Sequence, residues 1–239
     1  MKNKSLAVAK TNFRNIKIAY ALTVVIMVCM LVQDIGMLVI GRANGSGYYG
    51  IEGNMNVSFG NYLFLLIILS TFFIPLVNFR KVMNLGGKRA DFFNGCALTY
   101  AIMAASVSLA CVVLYLTYDR IMVSLLYNGG TLDVLYWFGW INNGAVIAFF
   151  QMFAFLFLLA TFLHTLIAAQ DKWYGWVADV LILAIISVFT PIAALRTSLV
   201  WFFNIIIFNS NAFVQIAACL ILAVAIYSLN KLTFARKAI

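Results

Sequence analysis

The sequence predicts an all-α integral membrane protein: six transmembrane helices, an N-terminal interfacial helix, and a short re-entrant or interfacial helix between spans five and six. Three observations carry that prediction: an apolar composition, six apolar runs of crossing length, and a one-sided distribution of basic residues. Hydrophobic residues make up 65% of the 239 and charged residues 10%, whereas soluble domains run at about 45–50% apolar and about 25% charged. No water-soluble fold of this length hides so much apolar side chain. At ~20 residues per crossing there is room for about six spans and short connections, so residues 1–239 read as one transmembrane domain.

The runs are 18–40, 61–79, 96–117, 144–168, 176–195 and 212–229, each long enough for a ~30 Å hydrocarbon core. A seventh run, 197–208, is too short to cross and lies between Arg196 and the polar Asn209, Ser210 and Asn211. A re-entrant or interfacial helix suits it. The basic residues choose between topologies. With 197–208 not counted as a span, Lys2, Lys4, Lys10, Arg14, Lys17, Arg80, Lys81, Lys88, Arg89, Lys172, Lys231, Arg236 and Lys237 fall on one side, and only Arg42, Arg120 and Arg196 on the other. Lys and Arg are retained on the cytoplasmic face, which places both termini there. The formal charge of +9 is thus a topology signal, implying membrane lipid and no nucleic acid as partner.

Before the first span, Ala9, Phe13, Ile16 and Tyr20 recur at helical spacing beside the basic stripe Lys10, Arg14 and Lys17. Two readings stand: a helix lying along the inner leaflet, or a basic anchor for the first span. No small-residue cleavage site follows, so the first span is expected to insert uncleaved. The outer connections are expected at 41–60, rich in glycine, and at 118–143, where Tyr136, Trp137, Phe138 and Trp140 suit the headgroup zone.

Little in the chain suggests chemistry. Cys29, Cys96, Cys111 and Cys219 lie in apolar runs without metal-ligand spacing and read as small packing residues. His164 has no Cys, Asp or Glu near it in sequence and reads as a packing or interface residue, so no metal site is expected. Gly86-Gly87-Lys88-Arg89 lacks the Ser/Thr and upstream Gly of a phosphate loop. Gly45-Ser46-Gly47 is not a nucleophile elbow. No catalytic residue is assigned and no enzyme is expected. Polar residues within apolar runs offer a pathway lining instead: Gln33, Asp34, Gln151 and Asn204. Asp34 either faces a protected interior or sits by the outer headgroups. Gln151, Asn204, Ser106 and Ser108 either line a route or join helices by hydrogen bonds. Asp179 stands where negative charge suits a helix N-terminus, with Lys172 nearby. Pro75 and Pro191 are expected to mark bends.

The most charged internal connection is 79–95, FRKVMNLGGKRADFFNG. Gly86, Lys88, Arg89, Phe92, Phe93 and Gly95 give it a pattern of glycine and basic residues before an aromatic pair that starts the next helix. It resembles the connection after the second span in membrane subunits of bacterial ABC exporters of the type-2 permease class. The resemblance extends to the whole plan of basic N-terminal helix, six spans and apolar hairpin before the last span. It implies a bacterial cytoplasmic membrane location, a second permease subunit, identical or paralogous, and separate ABC ATPase subunits that bind ATP and Mg, this chain holding no cofactor itself. It further implies that 80–91 is a coupling helix docking on the ATPase through Arg80, Lys81, Gly86, Lys88, Arg89, Asp91, Phe92 and Phe93. The cargo would be hydrophobic or amphipathic: a peptide, a drug or a lipid-linked molecule. The alternatives are an ion-coupled secondary transporter and a structural or sensory membrane protein.

Overall fold

In a computed structural model, which describes residues 4–43, 56–122, 131–170 and 172–235, apolar periodicity becomes a bundle of helices. In chain order these are α1 (Lys4–Asn15), α2 (Lys17–Ala43), α3 (Phe64–Phe73), α4 (Phe79–Asn84), α5 (Arg89–Leu114), α6 (Val134–Trp137), α7 (Ala145–Ala169), α8 (Trp173–Phe189), α9 (Ala193–Ile206) and α10 (Ala212–Ala235). Two-residue strands β1 (Asn56–Val57) and β2 (Thr131–Leu132) pair in parallel with Asn56 opposite Thr131. Lys2, Arg236, Lys237, the side chains of Arg42 and Lys231, and the glycine-tyrosine stretch 44–53 lie outside the described residues.

Among the described residues five helical segments are long and apolar enough to cross a membrane: Lys17–Gly36, Phe59–Asn84, Arg89–Met122, Ala145–Ala169 and Ala212–Asn230. A sixth crossing exists only if α8 and α9, bent by 117° at their junction, count as one broken span. The expected fifth span, 176–195, therefore ends earlier, at Phe189. Pro191 lies in the break, where a residue without an N–H cannot continue the helix. Arg196, expected to separate the fifth span from the short helix, sits inside α9.

The second segment stays continuous through two irregular turns. Phe59–Leu63 is a 3₁₀ turn, and Ile74–Asn78 is a π turn containing Pro75; such turns rehouse backbone bonds that a proline disrupts. A second π turn, Tyr115–Asp119, extends α5.

Packing centres on α5 and α7. The buried residues of α5 fall at 92, 95–96, 99–100, 103–104, 107–108 and 111–112, one stripe at helical spacing. It includes Gly95, Ala104 and Ser108, small residues that let membrane helices approach closely. Helix α7 buries residues on several sides and packs against α3, α5 and α10. By contrast α2, α8 and α9 turn most of their apolar side chains outward, among them Val24, Val28, Leu183, Ile186 and Trp201.

The N-terminal helix is seated on the bundle. Its apolar stripe packs on protein: Ala9 and Ile16 are buried, and Val8 and Asn12 join them against α5. A Cβ at Gly95 would stand 2.6 Å from Val8 Cγ1 and 3.0 Å from the Ser5 carbonyl, so glycine there permits the close approach of the two helices.

Candidate functional site

The connection between the second and third spans is a helical hairpin tip, built by its own sequence. Helix α4 carries the second span outward, and only Leu85–Lys88 interrupts the helices before α5 begins at Arg89. Gly86 adopts φ +76°. Its N–H donates to the Met83 carbonyl at 2.9 Å, and that of Gly87 to the Val82 carbonyl at 2.9 Å, the pairing that terminates a helix through a left-handed glycine. Gly87 is constrained sterically, since a Cβ there would approach Val82 Cγ1 to 2.6 Å. The expected coupling helix at 80–91 is thus divided between the end of one helix, a four-residue turn and the start of the next.

The eight residues singled out in this stretch fall into two groups. Arg80, Lys81, Gly86 and Lys88 are exposed, and Arg89 and Asp91 are half-buried. Leu85, which sequence reasoning passed over, is 84% exposed at the tip. Phe92 is fully buried and meets Phe79 edge to face with ring centroids 5.3 Å apart. Phe93 stacks on Tyr227 at 4.4 Å, and its carbonyl accepts from the Tyr227 hydroxyl at 2.7 Å. The aromatic pair therefore braces the hairpin base, with Phe92 buried and Phe93 half-buried. Deeper still, Asn78 Nδ2 donates to Asn12 Oδ1 at 3.1 Å, and Asn12 Nδ2 donates to Thr99 Oγ1 at 3.2 Å. This ties α1 to the inner ends of both spans.

The four candidate pathway residues do not form one route. Gln33 and Asn204 are exposed on the outside of the single chain. Asp34 is buried and accepts from the Tyr118 hydroxyl at 2.9 Å. Gln151 alone enters a buried network: Asn143 Nδ2 donates to Gln151 Oε1 at 3.1 Å, Gln151 Nε2 donates to Gln215 Oε1, and Gln215 Nε2 donates to the Ile206 carbonyl at 3.1 Å. Cys219 Sγ reaches the same carbonyl at 3.4 Å, and Trp140 Nε1 donates to the Ile207 carbonyl at 2.9 Å. These are end carbonyls of α9, which a helix terminus cannot satisfy internally and which hydrocarbon penalises. The network thus anchors the short helix. Trp140, expected among headgroups, is 1% exposed for this reason; Tyr136 and Trp137 remain exposed. Ser106 and Ser108 bond carbonyls of their own helix, Met103 and Ala104.

Two carboxylates unassigned from sequence meet at the opposite end from the hairpin tip. Ser58 Oγ donates to Asp119 Oδ2 at 2.5 Å, and the Phe59 N–H donates to Asp119 Oδ1 at 3.3 Å. Asp133 accepts from the Leu135 N–H at 2.6 Å and the Tyr136 N–H at 3.4 Å, capping α6. Burial holds the Asp133 carboxyl above its ordinary value, against the pull of Ser58 and the two N–H donors. His164 is buried with Nδ1 2.6 Å from the Tyr100 hydroxyl, joining α5 to α7. Gln170 Nε2 donates to Asp179 Oδ2 at 2.5 Å. Cys96, Cys111 and Cys219 are buried as expected, whereas Cys29 is exposed. Among the described residues no group of three or more His, Cys, Asp or Glu side chains is placed to hold a metal ion.

No family model, curated protein or solved structure matches the chain.

Proposed function

We propose that this chain is the permease subunit of an ABC exporter of the type-2 class, working with a second permease and with ATPase subunits on separate chains. The observation that carries the reading is the hairpin tip. Arg80, Lys81, Leu85 and Lys88 stand exposed on a turn whose base is locked by Phe79 against Phe92. A close-packed base does not absorb displacement. A partner that pushes on the tip therefore moves the second and third spans together, as domain motions require. Exposed cations around one apolar residue suit a groove with acidic walls. In this reading α8 and α9 form one broken span, giving six crossings, and the charge asymmetry sets both termini in the cytoplasm of a bacterial cell. Cargo would be hydrophobic or amphipathic, in keeping with the aromatic-rich spans.

The test is affinity purification of the full chain from its native membrane in mild detergent. An ATPase co-purifies with the wild type and is lost from Lys81→Glu/Lys88→Glu, which changes only exposed side chains. Retention of the complex in that variant overturns the docking assignment. Absence of any ATPase, with transport driven by an ion gradient and abolished by Asp34→Asn, overturns the exporter in favour of a secondary transporter.

A further inference from the structure

Helix α1 keeps a second face that the described residues leave exposed. Val8, Ala9, Asn12 and Ile16 point into the protein. Lys10 and Arg14 are exposed on α1 and Lys17 is the exposed first residue of α2, just past the turn at Ile16, and the three form a basic stripe along the N-terminal segment. At 100° per residue Lys10 and Arg14 lie opposite the buried face of α1. The first acidic residue of the chain is Asp34, and α5, against which α1 packs, carries only Asp91.

The hydrogen bonds of Asn12 fix the level of the stripe. Its partners, Asn78 and Thr99, lie in the crossing segments Phe59–Asn84 and Arg89–Met122, near the ends joined by the Leu85–Lys88 turn. Lys10, Arg14 and Lys17 flank Asn12 within five residues, so they sit at the same boundary of the apolar slab, facing away from the bundle. Leu6 and Ile18, 57% and 64% exposed, lie beyond the two ends of the stripe. Three cations at a hydrocarbon edge with exposed apolar neighbours fit the interfacial layer, where phosphate groups lie above acyl chains.

We propose that Lys10, Arg14 and Lys17 form a docking surface for anionic phospholipid headgroups, which hold α1 against α5 from the lipid side. The inference requires only that the long apolar helices cross a bilayer, and it is independent of any ATPase partner.

The test uses the full chain in nanodiscs of phosphatidylcholine containing a minor fraction of phosphatidylglycerol. The readout is the phosphatidylglycerol retained around the protein after exchange into pure phosphatidylcholine. Each basic side chain near an anionic surface strengthens attraction roughly fivefold, so Lys10→Gln/Arg14→Gln/Lys17→Gln is expected to weaken retention on the order of a hundredfold. High salt should lower wild-type retention as well. The charge-preserving Lys10→Arg/Arg14→Lys/Lys17→Arg retains the lipid, which separates loss of charge from loss of fold. Equal retention by wild type and the Gln variant overturns the proposal. So does loss of a co-purifying soluble protein from the Gln variant with lipid retention unchanged, which assigns the stripe to that protein instead.

Discussion

Replacing Gln215 with Met tests the anchoring of α9 through a single side chain of similar length. The substitution strands Gln151 Nε2, whose acceptor is Gln215, and leaves the Ile206 carbonyl with only the Cys219 thiol at 3.4 Å. A buried group left without its partner costs about 1–3 kcal/mol, while hydrogen bonds between membrane helices average only ~0.6 kcal/mol and reach ~1.7 kcal/mol. One full loss and one weakening set the expectation for Gln215→Met at about 2 kcal/mol. Gln151→Met costs less, about 1 kcal/mol, because it strands only Gln215 Oε1, while Gln215 keeps its bond to Ile206 and the exposed Asn143 turns to water. The double variant strands no amide of the Gln pair, so its cost falls short of the sum by roughly 1 kcal/mol. Reversible unfolding of the three variants in mixed detergent measures the cycle. Additive costs, or a Gln215→Met loss below about 0.5 kcal/mol, would refute the claim that this chain of amides holds the end of α9.

Other perturbations follow from single contacts. Gly175→Ala places a Cβ in overlap with the Ala169 carbonyl and is expected to cost about 1–3 kcal/mol, read as a lower thermal midpoint. Phe92→Ala opens the hairpin base and should cost about 3–5 kcal/mol; in the proposed exporter it also uncouples ATP hydrolysis from transport, measured as hydrolysis surviving in proteoliposomes without cargo movement. Asp133→Asn concerns pH. The folded carboxyl titrates above the usual 3.8, so the fold binds the extra proton. That stabilisation is complete below the unfolded value and is lost as pH rises through the folded one. The Asn variant should therefore melt above wild type at neutral pH, and the two curves should converge as pH falls toward the ordinary carboxylate range. Parallel melting curves at all pH values would show that the Asp133 charge is not buried at a cost.

The apolar runs were legible because a ~30 Å slab demands a length of helix whatever its neighbours are. Pro75 and Pro191 marked real irregularities, since the missing N–H acts locally. Illegible from sequence was how polar side chains pair across helices. Gln151 stood out as a polar residue in an apolar run, yet the acceptor of its Nε2, Gln215, lies 64 residues away along the chain. Gln215 itself sits one turn inside α10, where it reads as an ordinary boundary residue. Trp140 looked like a headgroup aromatic because composition gives no sign of a carbonyl waiting for its N–H. Phe92 and Phe93 drew attention through family resemblance, although their rings serve the interior. A signal for the anchor did exist: a short apolar helix ending at mid-segment needs donors for its last carbonyls, and Gln, Trp and Cys near neighbouring helix starts can provide them.

The irregular points of the backbone are also where the chain ties distant elements together. The first π turn ends at Asn78, buried and bonded to Asn12. The second ends at Asp119, buried and bonded to Ser58 and the Phe59 N–H. The end of α9 is held by Trp140, Gln215 and Cys219. A regular helix in lipid satisfies its own backbone and needs no specific neighbour, which is why α2 and α8 can expose most of their length. A broken or widened turn lacks that independence, so a polar side chain from elsewhere must come to it, and the pairing then fixes the register of two helices. Specificity in this bundle therefore concentrates at its irregular turns, and substitutions there should outweigh equal changes of volume on the lipid-facing sides of α2 and α8.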